Sequence, residues 1–110
     1  MNTNDYISQK WDFMANERIL RLLKRILPKL LKNPKIMFGH DTSSEEVDYV
    51  VENGKISIST LENLGGDHFF VSYAEKFGIT EEEGKILDFY LENKIREEEK
   101  DIKKIFPFIV

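Results

Sequence analysis

The stretch Glu17 to Lys35, ERILRLLKRILPKLLKNPK, constrains the fold of this chain more than any other. Set on a helix at about 100° per residue, Ile19, Leu20, Leu22, Leu23, Ile26, Leu27, Leu30 and Leu31 share one half of the cylinder. Arg18, Arg21, Lys24, Arg25, Lys29, Lys32 and Lys35 occupy most of the other. Eight large aliphatic side chains cannot stay wet, because each left in water forgoes about 1.5–3 kcal/mol of burial energy. The remaining chain is therefore expected to provide an apolar surface to receive them, the alternatives being a protein partner or an anionic membrane surface, the latter disfavoured by Pro28 and the lack of aromatic anchors in the stretch. With 110 residues and 41% hydrophobic content it can do so as one globular domain spanning 1–110. Pro28 lacks the amide proton of a helical ladder, so the helix should kink there or restart with Pro28 in its first turn. Asn33-Pro34 closes it, and Ile7, Trp11 and Met14 fall at helical spacing upstream, which puts the start near Asp5.

For the covering surface, the pattern of residues 45–60 predicts a β-hairpin. Asn53-Gly54 suits a two-residue type I′ turn, and pairing Glu52 with Lys55 puts Val47, Tyr49 and Val51 on one face with Ile56, Ile58 and Thr60. A competing reading takes Ser43 and Glu46 as a capping box and Gly54 as a helix stop, which makes residues 44–53 helical. The β-branched and aromatic content favours the hairpin. After a loop at Gly65-Gly66, His68 to Tyr73 reads as a third strand, with Phe70 spoiling the alternation.

Thr80 and Glu83 form a second capping box ahead of an apolar-periodic run, so a long helix begins there and packs Ile86, Phe89, Tyr90, Leu91 and Ile95 on the sheet. Between Ile95 and Ile102 stands only REEEKD, so this helix should project or bend. The ending IFPFIV is costly to leave in water. It should add an edge strand, with Pro107 on the unpaired side, or dock on a second subunit to give a homodimer. The expected fold is α+β: a small antiparallel sheet of three or four strands packed by an N-terminal amphipathic helix and a long C-terminal helix, in the order α-β-β-β-α(-β).

The net charge of −4 conceals a division along the chain. Residues 17–35 carry seven basic residues against Glu17, a local +6, whereas residues 36–110 carry eight basic against seventeen acidic, a local −9. Such asymmetry marks an interaction surface or is satisfied inside the fold. The absence of cysteine excludes disulfides, thiolate metal sites and thiol nucleophiles and suits a reducing cytoplasm. The first residues show no signal-peptide pattern, and no apolar run reaches the roughly 18 residues of a membrane span. A cytoplasmic location is expected.

The helix, three strands, helix order resembles that of the double-stranded RNA-binding domain. That family grips phosphate with lysines at the start of its second helix, where this chain has Glu81, Glu82 and Glu83. The basic face of the first helix, Arg18, Arg21, Lys24, Arg25, Lys29 and Lys32, is the candidate for nucleic acid, although no aromatics interleave with it. GHD, with His40 and Asp41, and GGDH, with Asp67 and His68, contain metal-ligand types but no local spacing that brings them together, so no metal and no cofactor is expected. His-Asp also resembles the signature dipeptide of the phosphohydrolases named for it, whose further ligands are missing. No phosphate loop or nucleophile elbow is present. Glu45, Glu46, Asp48 and Glu52, with Glu81, Glu82 and Glu83, form the candidate surface for a basic protein partner. The expectation is a non-catalytic intracellular protein-binding module, inhibitor-like or immunity-like, with nucleic-acid binding as the alternative.

Overall fold

The computed structural model describes the backbone of residues 3–110 and the side chains of residues 17–110. The first helix, α1 (Thr3–Lys32), starts close to where the upstream spacing put it and continues through Pro28. Ile7, Trp11 and Met14 lie outside the described side chains. The helix survives its proline because Pro28 and Lys24 are both exposed, so the carbonyl that Pro28 releases sits on the wet side. Ile19, Leu22, Leu23, Ile26, Leu27 and Leu30 are each at most 2% exposed, and the seven cations opposite them are exposed. The leucine half of the helix is core, as its periodicity requires.

What covers it is helical. After a 3-10 turn at Pro34–Met37 come α2 (Ser44–Asn53), α3 (Ile58–Gly66), α4 (Phe69–Ser72), α5 (Ala74–Phe77), α6 (Glu81–Asn93) and α7 (Glu99–Ile105). The fold is all-α, not α+β, and the expected three-stranded sheet is absent. Among the described residues the β structure amounts to an isolated parallel bridge between Ile56 and Ile109.

The hairpin fails for reasons the structure makes explicit. Ser43 accepts from the Glu46 amide, the Glu46 carboxylate accepts from the Ser43 amide, and Gly54 ends α2 in the left-handed region at φ 64°. Three specific end signals thus outweigh the β propensity of Val47, Tyr49, Val50 and Val51. Burial follows the helical period, with Val47 and Val50 inside while Tyr49 and Val51 are 42% and 52% exposed. Ser57 caps α3 by accepting from the Thr60 amide. The proposed third strand fails likewise, since Phe69 and Phe70 are consecutive and both fully buried, which no half-buried strand allows.

Two glycines set how closely the helices approach. A Cβ on Gly65 of α3 would lie 2.6 Å from the Asp88 carbonyl and 2.8 Å from the Glu92 amide of α6. One on Gly84 of α6 would lie 2.7 Å from Val71 Cα and 2.8 Å from the Phe70 carbonyl of α4. Backbone therefore meets backbone on both sides of α6. The contact with α4 is pinned by Asp88, 3% exposed, whose two carboxylate oxygens accept from the Phe70 and Val71 amides at 2.9 Å each. Burial raises the carboxyl pKa of Asp88 even though those two bonds favour its charge.

The expected long C-terminal helix breaks where its apolar stripe does, between α6 and α7. The tail forms no edge strand of a sheet. It runs back beside residues 56–58: Ile56 N–H donates to Phe108 O at 2.8 Å, Val110 N–H to Ile56 O at 2.9 Å, and Ile58 N–H to Val110 O at 3.0 Å. Phe106 and Ile109 are buried in their own chain, whereas Ile105 and Val110 stay 45% and 38% exposed.

Candidate functional site

The basic face of α1 is partly used within the fold. Arg25 Nη2 donates to Gly78 O at 2.9 Å and Lys29 Nζ to Phe77 O at 3.0 Å, so both cations satisfy carbonyls at the end of α5. Arg21 pairs with Glu17 one turn away at 3.6 Å. Glu83 also faces this side. Its pKa is lowered chiefly by the Thr80 amide it accepts from, with Arg25 and Arg18 adding to the effect. The charge asymmetry of the sequence is thus in part answered internally, by setting the acidic start of α6 against the cations of α1. Arg18, Lys24 and Lys32 complete the predicted nucleic-acid set, all exposed.

The seven acidic candidates fall in two places. Glu81 pairs with Lys85 at 3.4 Å, Glu83 closes its capping box, and Glu82 is exposed beside them. Glu45, Glu46, Asp48 and Glu52 lie on α2, which has no Lys or Arg in its ten residues. Glu46 is occupied with Ser43, whereas Glu45, Asp48 and Glu52 have no cation within 4.0 Å among the described residues. Beside this helix runs an open groove of about 370 Å³, lined by Ser43, Glu45, Glu46, Tyr49, Val50, Ser57, Thr60 and Val110. The capping residues of α2 and α3 form its rim, and the tail docked on Ile56 and Ile58 brings Val110 to it. Tyr49 and Val110, 42% and 38% exposed, give it an apolar component. Tyr49 was legible as a surface aromatic only once α2 was read as a helix, since the strand register turned it toward the core.

The two His-Asp stretches also meet. His40 Nδ1 lies 2.8 Å from Asp67 Oδ2, and His40 Nε2 lies 2.9 Å from Tyr73 Oη. Among the described residues no group of three or more His, Asp and Glu side chains could hold a metal ion. Tyr73, assigned in the strand reading to an alternating face, completes this cluster from the junction of α4 and α5. Aromatic packing holds the imidazole, whose ring meets those of Phe69 and Tyr73 edge-on at 5.2 and 5.0 Å.

Among the described residues, no helix is long and apolar enough to cross a membrane. No family model, curated protein or solved structure matches the chain.

Proposed function

We propose that the chain is a protein-binding module of inhibitor or immunity type that captures a basic segment of its partner in the α2 groove. The observation that carries this reading is the pairing, on one helix, of carboxylates that have no cation within 4.0 Å among the described residues with an exposed aromatic. Glu45, Asp48 and Glu52 supply a field that steers a cationic partner. Tyr49 supplies the rigid amphipathic contact on which interface energy concentrates. A lysine or arginine of the partner would reach Glu45 while an apolar neighbour covers Tyr49 and Val50. Nucleic acid as the ligand draws less support, because Arg25 and Lys29 are committed to α5 and Glu83 stands beside the same face.

The test compares three baits in the cell that makes the protein: the native chain, Glu45→Lys with Tyr49→Ala, and Lys24→Glu with Lys32→Glu. None of these residues closes a cap. The expectation is one defined protein retained by the native and Lys24/Lys32 baits and reduced at least about tenfold on the groove variant, the loss of one hot-spot contact. Equal retention on the groove variant contradicts the proposal. So does nucleic acid in the bound fraction that disappears with Lys24 and Lys32.

A further inference from the structure

The Asp67–His40–Tyr73 cluster satisfies the geometric signature of an activated nucleophile: a hydroxyl within hydrogen-bond reach of a base, and the base oriented by a third group. The tautomer follows from the partners. An ionised carboxylate only accepts, so Nδ1 carries the ring proton toward Asp67, and in the neutral imidazole Nε2 then accepts from the Tyr73 hydroxyl. Tight turns flank both members of the pair. Among the described residues only two non-glycine residues have positive φ, Asp41 at 58° and His68 at 56°, and they directly follow His40 and Asp67. The left-handed region is uncommon for residues with a Cβ, and Asp and His are among those that enter it most readily, so each turn sets the direction of the side chain before it at small cost. The site opens to solvent, with the His40 side chain 20% and the Asp67 side chain 37% exposed. Lys76 Nζ stands over the face of the Tyr73 ring, 5.3 Å from its centre.

We propose that Tyr73 is a covalent acceptor site for acyl groups from small activated donors such as acyl phosphates or thioesters. The phenol oxygen attacks the donor carbonyl carbon as its proton passes to His40 Nε2, and Asp67 stabilises the imidazolium that forms. Collapse of the tetrahedral adduct breaks the bond to the leaving group, which takes the proton back from His40 and departs. The product is a tyrosyl ester. Asp67 acts through His40 and is a positioning residue. The inference is independent of the α2 groove.

The experiment acetylates the full chain with N-acetylimidazole at low conversion and follows each tyrosine by peptide mass spectrometry. Tyr49, 42% exposed and with no such base beside its hydroxyl among the described residues, is the internal reference, and Tyr90, 5% exposed, the inert control. General-base assistance is worth about 10²–10⁴-fold. Because Tyr73 is less exposed than Tyr49, a rate at least about tenfold above that of Tyr49 is expected. His40→Gln removes the base, and Asp67→Asn lets the ring carry its proton on Nε2, so each should bring Tyr73 to or below Tyr49. A Tyr73 rate no greater than that of Tyr49, or a folded His40→Gln chain that reacts as fast as the native one, overturns the proposal.

Discussion

Replacing Gly84 by alanine tests the packing of α6 on α4, because helix propensity and tertiary contact predict opposite outcomes. In an isolated helix the change is favourable by about 1 kcal/mol. Here the added methyl would stand 2.7 Å from Val71 Cα, 2.8 Å from Phe70 O and 2.9 Å from Val71 N, against an ordinary carbon separation of about 3.5–4.0 Å. All three atoms are backbone and cannot rotate away, so α4 must retreat by roughly 1 Å. That retreat stretches the two 2.9 Å bonds from Phe70 and Val71 to Asp88 beyond useful length and leaves a buried carboxylate short of donors. Overpacking costs about 1–3 kcal/mol, and a hydrogen bond to a charged group is worth about 1.5–3 kcal/mol. Even with one of the two bonds retained, the net loss is about 3 kcal/mol after the propensity gain. Urea unfolding followed by far-UV circular dichroism measures it. Gly66→Ala is the matched control, its nearest neighbour being the flexible Glu92 carboxylate at 3.6 Å, and should stay within about 0.5 kcal/mol of the native chain. A Gly84→Ala chain as stable as the native one would refute the reasoning.

Asp88 gives a pH test. Its folded carboxyl is raised above the ordinary value of 3.8 by burial, so between that value and the folded one the native state binds more protons than the unfolded state. Its ionisation therefore costs stability at neutral pH, and the cost is relieved as pH falls toward 3.8. The stability advantage of the native chain over Asp88→Asn should widen in that window, and a constant difference between two denaturation series at neutral and acid pH would contradict the shift. Ile109→Ala, at a site 2% exposed, should cost about 2–5 kcal/mol in the same urea assay, whereas an undocked tail would make it silent. Arg25→Ala with Lys29→Ala should cost about 1 kcal/mol by removing the two donors at the end of α5; an unchanged midpoint would mean those contacts are solvated.

Much of the α-helical content was legible where periodicity and capping agreed. In α1 the leucine stripe is long enough that only a helix accommodates it, and Thr80 with Glu83 starts α6 where the capping box puts it. Residues 44–60 were misread because Val47, Val50 and Val51 carry a β preference that is really a preference for half-buried surface, while the caps at Ser43 and Gly54 are specific geometry. Phe70, which spoiled the strand alternation, was the readable sign of a helical turn. The close approach at Gly65 and Gly84 was not readable, since a glycine in a helix carries no mark of what will lie against it. Nor was the meeting of His40 with Asp67 and Tyr73, 27 and 33 residues away, because the helices between them fix that distance. The acidic set was legible as charge but not as a surface. Two of its members are caps, and the groove depends on a tail that the sequence sends elsewhere.

The groove exists only if residues 44–53 are helical and the tail lies on Ile56, and backbone NMR of the full chain reads both at once. Helical carbon shifts across Ser44–Asn53 and Ile58–Gly66, with amide contacts linking Ile56 to Phe108 and Val110, are the expected result. Extended shifts across residues 47–60, with cross-strand contacts between Glu52 and Lys55 and none to the tail, would contradict it.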